Sequence, residues 1–241
     1  MRILALDAAF DVVSVAVWAD GAVLAQDRAQ AGRGQGELLM PMIKRTMNAA
    51  ETGFAALDRI AVTIGPGHFT GLRLGLAAAR GLGLAAAKPV DGVTTFDAVL
   101  ASLPADERAA ALTVVAFETK RSDLYIQITS PGGVPAQGPF AAEPAAAAAC
   151  IPDAPLILLA GDGAPRLSAA LGDRPVRISG GPGLPHAAWV AKLAADRAAA
   201  AGAGLTPPPE PLYLRPPDVT TPRARTQVWK KSSPACRPTS N

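Results

Sequence analysis

MRILALDAAFDVVSVAVWADGAVLAQDR, residues 1–28, decides the fold class before any other stretch is considered. Residues 2–7 are a short apolar run closed by an acid, the pattern of a buried strand. Residues 13–18 are rich in β-branched side chains, and Asp20-Gly21 is a hairpin signal leading into a third strand over 22–28. Three strands in succession exclude a chain that alternates β and α from its start. A Gly-rich stretch at 32–36 follows, then a helix over about 37–51, with Leu39, Met42, Ile43, Met47 and Ala50 on one face. Pro41 fits that helix only within its first turn. A strand at 60–64, the loop GPGHFTG at 65–71, a helix over 70–87, a strand at 89–93 and a short helix at 96–103 complete the series. The order β-β-β-α-β-α-β predicts a mixed sheet flanked by helices.

After Pro104 a related order begins. Strands at 112–117 and 124–129 read as a hairpin, followed by a Pro/Gly loop and an alanine-rich stretch at 143–150. A strand at 156–160, the turn Gly161-Asp162-Gly163, and helices at 164–171 and 186–201 come next. The expected division is a first lobe over 1–104, a second and smaller lobe over 105–215, and a Pro-rich basic tail over 216–241 without regular structure. The second lobe looks like a faint structural repeat of the first.

Composition narrows the class. Of 241 residues, 49% are hydrophobic and 18% charged, which excludes wholesale disorder. The net charge of +3 invites a nucleic-acid reading. Five basic residues with no acid follow Asp218, leaving 18 basic against 20 acidic residues in the body. The excess charge therefore belongs to the tail. Cys150 and Cys236 cannot build a disulfide framework, as expected of a chain from a reducing cytoplasm. Asp7 and Asp11 interrupt the first apolar run short of signal-peptide length, and the apolar stretch 72–87 carries Arg73 and Arg80. A soluble cytoplasmic chain with no membrane partner is expected.

The stretch most specific for chemistry is IGPGHFTGLRLGLAAARGLGLA, residues 64–85. A strand running through a glycine turn into a helix leaves N–H groups unpaired where the helix dipole favours an anion. Gly65 and Gly67 permit positive φ and close approach, and Thr70 is placed to cap the helix. Asp7, Gly65, Gly67, Phe69, Thr70 and Gly71 are thus candidates for a phosphate-binding or partner-binding loop. The competing reading is a tight turn with no ligand. No Lys-Ser/Thr pair follows the glycines, and their spacing fails the dinucleotide fingerprint.

In the helix, Gly71, Gly75, Ala79 and Gly83 form a small-residue stripe, while Leu72, Leu76, Leu82 and Leu84 supply further apolar surface. Such a stripe admits a partner helix or packs on the chain's own sheet. Arg73 and Arg80 lie two turns apart, placed to meet acids on a partner. Glu118, Lys120, Arg121 and Asp123 read as a solvated hairpin turn. With two histidines, His68 and His186, no HExxH motif and no G-x-S-x-G, neither a metal site nor a serine-hydrolase site is expected.

MRILALDAAFDVVSVAVW, LLMPMI, TIGPGHFTGLRLGLAAARGL and PLYLRPPD together resemble the bacterial TsaB family, also called YeaZ, over about residues 1–218. The resemblance implies an α/β fold of two lobes, each a mixed sheet flanked by helices. This is the actin-like, acetate and sugar kinase and heat-shock ATPase (ASKHA) fold. It also implies a non-catalytic scaffold for a TsaD-type transferase, in threonylcarbamoylation of adenosine 37 in tRNAs reading codons that begin with A. A TsaE-type ATPase would complete the assembly, and tRNA would be engaged through the complex.

Carried over, the partner interface falls on the first-lobe helices, at Leu39, Met42, Ile43, Met47, Leu72, Arg73, Gly75, Leu76, Ala79, Arg80 and Gly83. The same surface would serve a homodimer when the partner is absent. The chain itself needs no cofactor, and ADP or ATP has its place only at the partner interface. Two family positions differ: Gln35-Gly36-Glu37 stands where many members carry a histidine, and His68 where serine is common. In kinase-like members of the fold the first turn carries glycine. Here it reads Asp7-Ala8-Ala9-Phe10-Asp11, which speaks against the alternative of a small free-standing ATPase or kinase.

Overall fold

The computed structural model describes residues 1–32, 34–201 and 208–215, so the expectation for the tail at 216–241 lies outside the described residues. The first sheet comprises β1 (Arg2–Asp7), β2 (Val12–Ala19), β3 (Ala22–Gln30), β4 (Arg59–Gly65) and β5 (Val90–Thr94). Its spatial order is β3-β2-β1-β4-β5. The opening meander is antiparallel, and β4 and β5 join it in parallel through α1 (Gln35–Ala49) and α2 (Phe69–Ala86). Two short helices, α3 (Thr95–Ser102) and α4 (Ala105–Ala110), lead to the second sheet.

That sheet contains β6 (Leu112–Glu118), β7 (Leu124–Thr129), β8 (Pro135–Ala142), β9 (Ile157–Ala160) and β10 (Val176–Ile178), in the order β8-β7-β6-β9-β10. Its helices are α5 (Pro144–Cys150), α6 (Ala164–Leu171) and α7 (Ala187–Ala201). Strand for strand, this order and these directions repeat those of the first sheet. The faint repeat in the element order is therefore a repeat of topology.

The alternation along each strand decides which helix covers which face. Leu4, Leu6, Val13, Val15, Val17, Ile60 and Val62 point to the side covered by α1 and α2. Ile3, Ala5, Ala16 and Ala61 point to the other side and meet Ala187, Val190, Ala191 and Ala194 of α7. Alanine on both surfaces lets α7 lie close, and Ser14 Oγ accepts the Ala187 N–H at 2.9 Å. Expected within the second lobe, α7 instead closes the first sheet. In the reverse direction, Phe96 and Val99 of α3 and Leu103 just after it pack with Val115, Phe117, Leu158 and Ala160 of the second sheet. α7 thus completes the first lobe, and α3 bridges the two sheets.

Three elements have little signal in sequence. β8 is an exposed edge strand carrying two prolines and a glycine, which edges tolerate because one row of backbone groups faces water. β10 has only three residues, and α4 has six. Pro41 is a further difference. α1 begins at Gln35, so Pro41 sits in its second turn. The hydrogen bond that proline forfeits would be accepted by Glu37, an exposed residue whose carbonyl water can serve.

Candidate functional site

The loop after β4 lands on the turn between β1 and β2. Asp7 ends β1 fully buried, accepting hydrogen bonds from the Ala9 N–H at 3.1 Å and Thr63 Oγ1 at 2.8 Å. It ties the turn to β4, a capping role, and burial pushes its carboxyl pKa up to about 6. Ala8, Ala9 and Phe10 are all buried, and the Phe10 ring packs on Phe117 of the second lobe at 4.8 Å between centroids. The His68 N–H donates to the Ala9 carbonyl at 2.6 Å.

The glycines serve this contact. A Cβ on Gly67 would lie 2.4 Å from the Ala9 oxygen, and one on Gly71 2.0 Å from the Ala8 oxygen. Gly65 has φ +111°, a value glycine supplies without strain. The space a phosphate would need between loop and turn is filled by the chain itself. Thr70 is not the cap: His68 holds that position, in extended backbone, and Thr70 lies inside α2. The second lobe repeats the device. Gly161 and Gly163 sit against Ala116 and Phe117 at the end of β6, and Asp162 accepts the Glu118 N–H at 2.8 Å.

The expected interface residues separate into two sets. Leu39, Met42, Ile43 and Met47 of α1 and Leu72, Gly75, Leu76, Ala79 and Gly83 of α2 are buried against the chain's own sheet. The Gly75 Cα faces Val62 and Ala8, and a Cβ on Gly83 would lie 2.5 Å from Val90. The stripe brings α2 close to the sheet, so these positions cannot meet a partner. Arg73 and Arg80 are exposed, but both hold the C-terminal segment 208–215. Arg73 Nε donates to the Tyr213 hydroxyl at 3.1 Å, with its guanidinium 3.7 Å from the Phe69 ring centre, and Arg80 donates to the Pro209 carbonyl. The Leu212 N–H donates to the Ile64 carbonyl at 2.7 Å, and Arg215 pairs with Asp123 on the second lobe. The outer face of the helix pair is formed by Met40, Lys44, Ala77, Gly81, Leu84 and Ala85, with Leu84 86% exposed.

Between the lobes lies an open cleft of about 740 Å³. One wall is the loop with His68, Phe69 and Thr70, another is the β6–β7 turn with Lys120 and Arg121, and Tyr213 comes from the C-terminal segment. Asp11 Oδ1 lies 3.3 Å from His68 Nδ1. Burial, reinforced by Lys120, lowers the His68 pKa, and the Asp11 carboxylate beside Nδ1 opposes that shift. The sequence reading left Lys120 and Arg121 as a solvated turn and missed the cleft. The available signal was its tyrosines: both tyrosines of the chain, Tyr125 and Tyr213, line it. Among the described residues no three His, Cys, Asp or Glu side chains converge on a metal position, and no helix is long and apolar enough to cross a membrane.

Comparison with known proteins gives this geometry a context. A family model described as TsaD, tRNA N6-adenosine threonylcarbamoyltransferase, matches residues 29–133. The tRNA threonylcarbamoyladenosine biosynthesis protein TsaB of Escherichia coli (strain K12) is 33% identical over 125 residues, 52% of this chain and 53% of that protein. The chain spans about half the length of the curated TsaB relatives it matches. A tRNA N6-adenosine threonylcarbamoyltransferase of Erythrobacter litoralis is 39% identical over 67 residues, 28% of this chain and 20% of that one. Among solved structures, YeaZ from Pseudomonas aeruginosa superposes with a TM-score of 0.73 at 25% identity, covering 88% of this chain and 99% of that chain. The two-lobed fold implied by the sequence is the fold observed.

Proposed function

We propose that this chain, similar to the TsaB protein of Escherichia coli and to YeaZ from Pseudomonas aeruginosa, is a TsaB (YeaZ) family member and the non-catalytic partner subunit of a TsaD-type transferase. The pair, in the cytoplasm, would install the threonylcarbamoyl group on adenosine 37 of tRNA, with a TsaE-type ATPase completing the assembly. The observation that carries the non-catalytic part is the loop seated on the β1–β2 turn. His68 N–H bonds the Ala9 carbonyl, and the Gly67 and Gly71 backbones touch Ala9 and Ala8. A turn whose Ala8 and Ala9 carbonyls are covered by the chain's own loop is poorly placed to wrap a phosphate, which argues against the alternative of a free-standing ATPase. The chain then needs no nucleotide of its own, and any ADP or ATP would sit at the partner interface.

The surface that fits the partner is the outer face of α1 and α2. Ala77, Gly81 and Ala85 recur at four-residue steps beside the exposed Leu84 and Met40, so a facing helix can approach closely. The transferase-family model covers 29–133, which includes both helices. A transferase that shares this lobe can offer the equivalent helices, giving a pseudo-twofold pairing of like elements. A homodimer through the same face is the fallback when the transferase is absent.

The test is reconstitution with a TsaD-type transferase, a TsaE-type ATPase, threonylcarbamoyl-AMP and unmodified tRNA, reading modified adenosine. Modification is expected only with this chain and the transferase together. Transfer by this chain alone would overturn the scaffold reading, and full transfer without it would overturn the requirement.

A further inference from the structure

The segment 208–215 runs from the first lobe to the second on alternating side chains. Pro209 is buried, and its carbonyl accepts a hydrogen bond from Arg80. The Leu212 N–H donates to the Ile64 carbonyl at 2.7 Å. Tyr213 turns outward, where its hydroxyl accepts from Arg73 at 3.1 Å and its ring lies 5.6 Å from Phe69. Leu214 turns inward, onto the cluster that holds Phe10, Phe96 and Phe117. The first lobe is shaped for this course. A Cβ on Gly65 would lie 2.9 Å from the Leu212 oxygen, and one on Gly92 2.9 Å from the Pro209 Cβ. At the far end Arg215 pairs with Asp123 of the β6–β7 turn. Asp123 is 3% exposed, and its Oδ1 accepts from Thr119 Oγ1 at 2.7 Å while Oδ2 faces Arg215. A carboxylate buried this far demands a cation. With side chains only 30% and 4% exposed, the pair is little screened by salt.

We propose that the segment 208–215 is a clasp that fixes the opening of the interlobe cleft, with the Arg215–Asp123 pair as its latch. The lobes also meet at the phenylalanine cluster, where Phe96 and Phe117 lie 5.2 Å apart. An apolar joint resists separation but resists rotation about itself only weakly, because apolar contact is non-directional. A second attachment away from that joint fixes the angle, and the clasp supplies it. Leu212, Tyr213, Leu214 and Arg215 line the cleft together with the loop at 66–70 from one lobe and the turn at 119–121 from the other. The spacing of these two walls is thus set by a segment that belongs to neither sheet. The clasp consists of contacts within the chain and is independent of the function proposed above.

The experiment measures the distance between two nitroxide labels on the full chain by double electron–electron resonance. Cys150, exposed at the end of α5 in the second lobe, carries one label. Gln26→Cys on the exposed strand β3 of the first lobe carries the other, and Cys236→Ser removes the remaining thiol. A single narrow distance is expected with the latch intact. Asp123→Asn keeps an acceptor for Thr119 but loses the charge, and Arg215→Ala removes the cation. Both are expected to broaden the distance distribution, and Arg215→Lys should return the narrow peak. Hydrogen exchange supplies a second readout. The Leu212 N–H is expected to exchange about tenfold faster or more in Arg215→Ala, because the segment then opens from its free end. Amides of β1 and β6 should stay protected in every variant. A narrow, unshifted distance in both latch variants would overturn the proposal, and so would unchanged exchange at Leu212. Loss of β1 or β6 protection along with the clasp would also overturn it, since the pair would then hold up the fold and not the opening.

Discussion

Asp7 shows how much a single buried group can determine. Its pKa in the folded protein is about 6 against 3.8 for the free side chain, because burial disfavours the charge more than its hydrogen bonds and the nearby Arg28 favour it. Between those values the folded state holds the proton and the unfolded state does not. Asp7 therefore favours folding most below about pH 4, and its contribution declines as pH rises to about 6. Asp7→Asn keeps an oxygen to accept from Ala9 and Thr63 without the charge. It is expected to raise stability at pH 7 by up to about 3 kcal/mol. It should also remove the pH-dependent part between 4 and 6 in denaturant titrations compared with wild type. The glycines give a second contrast. Gly71→Ala drives a methyl into the Ala8 carbonyl and is expected to cost about 1–3 kcal/mol or more. Gly36→Ala in α1 meets nothing within 4 Å and is expected to add about 0.5–1 kcal/mol. The glycines of GPGHFTG were legible as a close-approach turn. What they approach was not, because a ligand phosphate and the chain's own carbonyl make the same demand on the missing Cβ.

At the scale of the element, α2 has two small-residue stripes on opposite faces. Gly71, Gly75, Ala79 and Gly83 face the sheet, and Ala77, Gly81 and Ala85 face outward. Substituting Gly75→Leu and Ala79→Leu together is therefore expected to disrupt the first lobe, seen as loss of cooperative thermal unfolding. It would not serve as a selective interface test. Leu84→Glu is the selective one. Leu84 is 86% exposed, so stability should stay within about 0.5 kcal/mol of wild type. Co-elution with the transferase should be lost, and retention of a full-affinity complex would exclude this face. The helix period in α1 and α2 was readable, since it depends only on residue spacing. Whether an apolar stripe meets its own sheet or a partner is not, since both produce the same period.

Across the whole molecule, the lobes are joined by side chains as well as by the chain. Phe10 from the first turn, Phe96 of α3 and Phe117 of β6 form one cluster, with Phe96 and Phe117 5.2 Å apart. The crossing of α7 to the first sheet adds to this coupling. Phe10→Ala is expected to cost about 3–5 kcal/mol. A single unfolding transition should move as a unit, and two separate transitions in calorimetry would show that the lobes are independent. With the Ala8 and Ala9 backbone still pressed against the loop, the variant should also show no ATP turnover with magnesium.

The sequence by itself determined the order of the principal elements, a faint hint of the repeat, the absence of glycine from the first turn, and the placement of the excess basic charge in the tail. Each of these depends on local spacing or residue type. Only the tertiary structure decided that α7 closes the first sheet, that Arg73 and Arg80 hold the chain's own segment 208–215, and that Tyr125, Tyr213 and Lys120 share one cleft. The arginine contacts join residues 140 and 129 positions apart. No local pattern encodes them, because they arise from the way two topologically equal sheets come to face one another.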